Sequence, residues 1–232
     1  MIYFNDISMD SIAPVMIEDV RVSPIQYSVT ARQRPIQYGA DFVRETGGSR
    51  TVAITFALLT EDKNLRQKQL QELNAWAKTD TEGKLMLDWY SNQYLNCICT
   101  SLPEPSSRQW WESKLRIVFT TYNDPFWNSI AERYSACGTA FTVLGSAPPK
   151  MYIAKTNSSA VTNKTYSDGT HSMTLSNVPA GSLVIDLNKQ TAAVDGVSIM
   201  QYFSFTSEFP VPKTGLMNIT GDGNVYWRER WQ

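Results

Sequence analysis

Residues 50–59 read RTVAITFALL, and no other feature restricts the fold so strongly. Val52, Ile54, Phe56 and Leu58 fall on one side of an extended chain, and Thr51, Ala53, Thr55 and Ala57 on the other. Successive side chains of a β-strand point to opposite faces, so this alternation describes a strand laid over an apolar core. The same period of two runs through residues 25–31, 84–90, 94–102 and 112–122, where Leu115, Ile117 and Phe119 share a face. The first half of the chain is therefore expected to be mainly β.

One segment departs from that rhythm. Thr60 offers a capping hydroxyl, Glu61 and Asp62 place negative charge against the positive end of a helix dipole, and LRQKQLQELNAWAK continues with strong helix formers. At helical spacing Leu65, Leu70, Leu73, Trp76 and Ala77 gather on one side, leaving Lys63, Gln67, Gln71, Asn74 and Lys78 on the other. This predicts one amphipathic helix packed on the sheet through a core stripe.

Residues 32–50, RQRPIQYGADFVRETGGSR, hold Pro35, Gly39 and the pair Gly47-Gly48, all turn or bulge formers. Two readings stand: a long hairpin arm, or a solvated loop with two short edge strands. If ordered, an excursion of this length needs a neighbour to lean on.

The stretch FTTYNDPFW, residues 119–127, ends the last strand of the first half. Pro125 has no amide proton for a ladder and drives Asp124 out of the helical region, while Asn123 and Asp124 supply a turn. Phe126 and Trp127 are then free to fold back as an apolar plug. Charged residues thin out after Arg133 while Ser, Thr, Asn and Gly increase, which places a boundary near residue 135. The expected domains are 1–135, a β domain with one helix, and 136–232, a β-sandwich. Strands in the second are expected at 139–144, 150–154, 171–176, 183–187, 191–194, 199–206, 216–220 and 225–231, with no helix and no repeat of the first half. LVIDLNKQTAAVDGV, with its turn at 188–190 and the Asp195-Gly196 turn, is the clearest hairpin signal.

Composition removes several classes of function. With 42% hydrophobic and 19% charged residues the 232-residue chain suits ordinary globular packing. A formal net charge of -1, with no basic cluster denser than Arg32-Gln33-Arg34, disfavours sequence-specific nucleic-acid binding. The N-terminus MIYFNDISMD lacks the basic flank and apolar run of a secretion signal, and no stretch approaches a membrane span. Synthesis in a cytoplasm is expected, and the matches to the glycosylation pattern at Asn157, Asn163 and Asn218 are read as chance.

Chemistry-bearing groups are sparse. His171 is the one histidine and no nucleophile elbow accompanies it, so it is read as an exposed strand residue and not as part of a relay. Cys97 and Cys99 share one face of a strand, but only Cys137 and His171 remain as further soft ligands and no CxxC knuckle exists. Buried thiols are expected, with neither metal, cofactor nor catalytic residue. Carboxylate pairs of the glycosidase type meet only in the fold and stay open. Seven tryptophans raise a further possibility, a lectin-like module presenting Trp227 or Trp231 to sugar rings, although Trp227, Glu229 and Trp231 share one strand face with Arg228 and Arg230 opposite.

The order of these parts resembles the distal tail proteins of long-tailed, non-contractile phages, the siphophages. The likeness rests on the helix after RTVAITFALL, the closing KLRIVFTTYNDPFW with its DPFW junction (Asp124, Pro125, Phe126, Trp127), and a small β domain with LVIDLNKQTAAVDG that ends in YWRERW. It spans nearly the whole chain, and no inserted carbohydrate-binding module is evident. The resemblance implies a non-enzymatic virion protein: a hub, hexameric in the family, whose N-terminal domains close a ring at the tip of the tail tube. Galectin-like C-terminal domains face outward. The implied partners are copies of itself, the tail tube protein, a tail-associated hub or fibre protein and a receptor-binding protein, with assembly in the bacterial host cytoplasm. A ring is a head-to-tail contact repeated until it closes. The excursion, through Arg32, Arg34, Tyr38, Phe42 and Arg44, is the expected subunit contact. A channel that passes DNA favours a lining without excess positive charge, in line with the net charge of the chain.

Overall fold

A computed structural model of the chain describes residues 1–33, 40–103 and 114–232, with the side chains of 28–33 and 40–47 left aside. The chain divides into two compact units, Met1–Trp127 together with Gln232, and Asn128–Trp231. The division falls before the position near 135 read from composition. The reason lies in pairing: the strand Arg133–Ala136 runs antiparallel to Asn224–Trp231 and so belongs with the second unit.

In the first unit one antiparallel sheet runs in the order Val15–Val22, Thr51–Leu58, Leu115–Thr120, Gln93–Ser101, Gly83–Leu87, Ile2–Phe4, Ile7–Ser8. The alternation of RTVAITFALL is realised as expected, with Val52, Ile54, Phe56 and Leu58 buried. Leu115, Ile117 and Phe119 join them from the neighbouring strand. The strands near the N-terminus are too short, or too interrupted by polar residues, to show period two.

The first unit holds a short helix, Met9–Ile12, besides the one expected, because burial of Met9 folds a single turn too brief for a periodic signal. The expected helix spans Lys63–Ala77 and buries Leu70, Leu73, Trp76 and Ala77 against the sheet. Trp76 meets Phe4 and Phe119 edge-on, at centroid distances of 6.0 and 6.3 Å, and its indole N–H donates to the Ile7 carbonyl. Two details differ from expectation. The cap is Asp62, whose Oδ1 accepts the amides of Asn64 and Leu65, while the Thr60 hydroxyl donates to the side chain of buried Gln69. A carboxylate at this position satisfies two orphan amides and also faces the dipole, so it outcompetes the hydroxyl. The later start leaves Leu65 in the first turn, where it is 46% exposed.

The second unit is a β-sandwich. Its larger sheet runs Val197–Ser198, Thr191–Val194, Gly181–Asp186, Ala147–Asn157, Asn224–Trp231, Arg133–Ala136, antiparallel throughout. Facing it are the pairs Val161–Ser167 with Ser172–Val178 and Phe141–Val143 with Gly215–Met217. Met151, Ile153, Leu183, Ile185, Val225 and others pack against Tyr166, Met173, Leu175 and Met217 in a continuous core. The segment expected as a strand at 199–206 is instead a single 3-10 turn, Met200–Tyr202, followed by Phe203 stacked on Phe209 at 4.8 Å. Its apolar residues reach the core without a ladder.

Candidate functional site

Three places concentrate the groups that sequence reading nominated or missed. The first is the excursion of residues 32–48. Its backbone forms a hairpin, Tyr27–Gln33 paired with Ala40–Gly47, with a register shift at Thr30/Ala31. Among the described residues no further strand extends this ladder. Arg32, Phe42 and Arg44 stand on these two strands, while Arg34 and Tyr38 lie outside the described residues.

At the root of the hairpin lies a concavity of about 380 Å³ lined by Ile25, Tyr27, Arg50, Tyr90, Trp127 and neighbours. Arg50 is 5% exposed. Its backbone is fixed by a reciprocal pair with Thr121, whose amide donates to the Arg50 carbonyl and whose hydroxyl accepts the Arg50 amide, both at 2.9 Å. The guanidinium has no such company: its Nε and one Nη are buried without a hydrogen-bond partner. Burial pushes its pKa down, opposed by Tyr90 and Tyr27. An arginine keeps its proton even so, which leaves a desolvated cation walled by aromatic rings. Sequence reading missed Arg50, because its position just before a strand carries no mark of burial.

The second place is the DPFW turn. The strand stops at Thr120, and the amides of Tyr122 and Asn123, released from the ladder, both donate to the Glu82 carboxylate. Asp124 is buried and its Oδ1 accepts the Phe126 amide, closing the turn that Pro125 forces. Trp127 is 2% exposed and stacks on Tyr90 at 4.5 Å. The aromatic surface after the strand end is thus core of the first unit.

The third lies in the second unit, where the chemistry read from the sequence meets its outcome. His171 sits in a turn ahead of the strand Ser172–Val178, half-buried, with Nδ1 3.1 Å from Asp168. Asp168 works against burial but accepts the amides of His171, Val211 and Thr170 and the His171 ring, and these hold its carboxyl well below the usual range. The expected exposed strand histidine is therefore a turn residue locked to an aspartate, because the chain must reverse there. The neighbouring Ser167 hydroxyl donates to the His171 carbonyl and not to its ring, and Asp168 serves the turn and the Val211 amide. Cys97 is buried, its thiol pushed up by desolvation, and Cys137 is pushed up to about 11 chiefly by the same cause. Among the described residues no group of His, Cys, Asp and Glu has metal-holding geometry.

Of the two tryptophans nominated for a sugar platform, Trp231 is half-buried at the end of the last strand and Trp227 is core. Trp227 is 4% exposed and stacks on Phe141 at 4.4 Å, inside the sandwich. Glu229 beside it is 3% exposed, accepts the Leu144 amide and lies 3.4 Å from Arg133. The outward face carries what the sequence did not disclose: Tyr134, Tyr226 and Tyr152 stand in cross-strand register, with Tyr152 and Tyr226 stacked at 5.0 Å. Arg228 donates from that face to the carbonyls of Ser129 and Ile130 and pairs with Glu132.

No protein-family model matches the sequence, and no curated protein matches it. Solved structures do. The Dit protein of phage SPP1, described as a paradigm of the hub adsorption apparatus in phages infecting Gram-positive bacteria, is similar over 100% of this chain and 98% of its own. The TM-score is 0.76 at 13% identity. The baseplate of phage P2 in its activated conformation with calcium gives a TM-score of 0.49 at 7% identity, covering 96% of this chain and 92% of that one. Mainly antiparallel, with a galectin-like sandwich as its second unit, the chain has the fold of SPP1 Dit from end to end. Among the described residues no helix is long and apolar enough to cross a membrane.

Proposed function

We propose that this protein is a structural component of a siphophage tail tip: a distal tail hub that closes into a ring, hexameric, and joins the tail tube to the baseplate or host-adhesion apparatus. The observation that carries the reading is the likeness to SPP1 Dit, which covers both chains almost completely and leaves neither unit without a counterpart. The protein has no reaction to perform in this role. Its partners are copies of itself, the tail tube protein, a tail-associated hub or fibre protein and a receptor-binding protein, and it resides in the virion after assembly in the host cytoplasm.

Two features of the first unit support a self-contact. A closed ring needs two different surfaces on each subunit. The hairpin Tyr27–Gln33/Ala40–Gly47, with its nominated Arg32, Arg34, Tyr38, Phe42 and Arg44, supplies an element whose ladder no described strand completes. Arg50 at its root supplies a cation with no acceptor of its own, and its second Nη, which is not among the sealed nitrogens, is the atom a carboxylate from an adjoining subunit would meet. The two units divide the labour: Met1–Trp127, which ends in the DPFW turn, closes the ring, and Asn128–Trp231 holds adhesion machinery.

Light scattering and negative-stain microscopy of the purified chain test the reading. Hexamers and ring images are expected, and a strictly monomeric species at high concentration, with no ring on the grid, overturns it. Deleting residues 33–48 should abolish assembly and spare the fold, whereas unchanged assembly would dismiss the arm.

A further inference from the structure

The first unit holds a cation without an acceptor and, at the far side of the same sheet, a carboxylate without a donor. Arg50 stands just before Thr51–Leu58, the second strand from one edge, and lines the concavity of about 380 Å³ at the hairpin root. Its Nε and one Nη are sealed. The second Nη is not, and among the described residues no acceptor meets it, so it is the atom that a visitor to the concavity reaches. Ile25, Tyr27, Tyr90 and Trp127 wall the space. The Tyr27 hydroxyl accepts from the Gln232 amide at 3.5 Å and keeps its own proton to give. One buried arginine among aromatic rings is the composition of an interface anchor pocket, and it suits a carboxylate that arrives beside an apolar side chain.

The Asn5-Asp6 turn offers that combination. It joins Ile2–Phe4 to Ile7–Ser8 at the opposite edge of the sheet, with Asn5 and Asp6 in the left-handed region at φ 52° and 64°, which asparagine and aspartate tolerate better than most residues. The turn is tied down: the Asn5 amide donates to the Lys84 carbonyl, Asn5 Oδ1 accepts the Lys84 amide at 3.0 Å, and the Ile7 carbonyl accepts the Trp76 indole. Asp6 is exposed, and among the described residues no hydrogen bond or ion pair engages it. Ile7 beside it is 49% exposed. A charged and an apolar side chain thus stand together on a fixed tip.

Within one copy the two sites do not meet. Three strands separate Thr51–Leu58 from Ile2–Phe4, which makes four strand spacings, roughly 19 Å. Yet the registers set them level. Arg50 lies against Thr121, Thr120 against Ile98, Cys97 against Gly83 and Phe4 against Leu85, so one cross-strand row leads from Arg50 to the turn. A head-to-tail contact brings the two ends of such a row together in neighbouring copies.

We propose that the Asn5-Asp6 turn of one copy seats in the Arg50 concavity of the next, the Asp6 carboxylate accepting from the second Nη and from the Tyr27 hydroxyl while Ile7 packs on the aromatic walls. This rests on the ring reading and names its contact. Because assembly desolvates the pair, removing either charge alone strands the other.

The test is a double-mutant cycle read by light scattering of the full chain over a range of concentrations. Asp6→Asn keeps the left-handed turn and Arg50→Met removes the cation. Each should raise the concentration at half-assembly at least about tenfold, and the double variant should do no worse than the worse of the two. Ile7→Ser should raise it several-fold, and Asp10→Asn, a charge change at an exposed position near the turn, should leave it unmoved. Effects of Asp6→Asn and Arg50→Met that add, indifference to either, or an equal loss from Asp10→Asn overturns the contact while the wild type still assembles. A wild type that never assembles removes the ring, and the contact with it.

Discussion

The two units differ in how they treat a buried basic group. In the second, each buried ion has its counterpart: Lys164 has Asp222, Glu229 has the Leu144 amide and Arg133, and Asp168 has three amides and a histidine ring. In the first, Arg50 is as deeply buried, yet two of its guanidinium nitrogens meet no acceptor. A paired ion roughly offsets its desolvation, while an unpaired one is a standing cost that an isolated fold has no reason to keep. The difference teaches where to look for a missing neighbour: in the second unit Arg230 has one unpartnered nitrogen but donates through another to the Pro148 carbonyl, whereas in the first two nitrogens of Arg50 go unmet.

The comparison can be broken at its base by asking whether the units have separate cores. Phe119→Ala removes the ring that packs on Phe4 at 4.9 Å and on Trp76, and should cost the first unit about 3–5 kcal/mol. Urea unfolding followed by probes in each unit should show an early first transition and an unmoved second one; a shared shift would mean one cooperative core.

A smaller effect sharpens the claim that the second unit satisfies its ions. Asp168→Asn replaces an acceptor that serves the Val211 amide with an amide donor, a loss of roughly 2 kcal/mol. The folded pKa of Asp168 is depressed, so its contribution is present above the unfolded carboxylate value near 3.9 and fades as pH falls below it toward the folded value. The wild-type minus variant difference in melting should therefore shrink in acid, and a pH-independent difference would contradict the mechanism.

Arg50→Met should move stability the other way, raising that of the dissociated chain by on the order of 1 kcal/mol because it removes an unpaired buried charge. The same change should weaken assembly in light scattering. Stabilisation with undiminished assembly would show that no neighbour uses Arg50. The smallest effect is at the helix start, where Asp62→Ala should cost about 1 kcal/mol while Thr60→Ala costs less, a ranking that thermal melts of the two variants would check.

Much of the fold was legible where local pattern and burial coincide. Period two gave the strand Thr51–Leu58 and its neighbour Leu115–Thr120, and helix formers gave Lys63–Ala77. The Asp195-Gly196 turn, both residues at positive φ, was written in its residue types. The strand Val161–Ser167 was not, because its inward positions hold a lysine and a tyrosine among threonine and asparagine. Its neighbour's pairing makes it a strand, and the opposing Asp222 makes its lysine tolerable.

By itself, then, the sequence determined many of the extended segments, the long helix, where the chain must turn at Pro125, and an order of parts that resembles that of distal tail proteins. Those properties follow from neighbours a few residues apart. Only the tertiary structure decided that Trp127 and Trp227 are core, that Arg50 is sealed without a partner, and that Lys155, Lys164, Asn157 and Asp222 line one cavity. Burial and ion pairing are set by residues distant in the chain, such as Lys164 and Asp222, and no local pattern encodes which distant groups will meet.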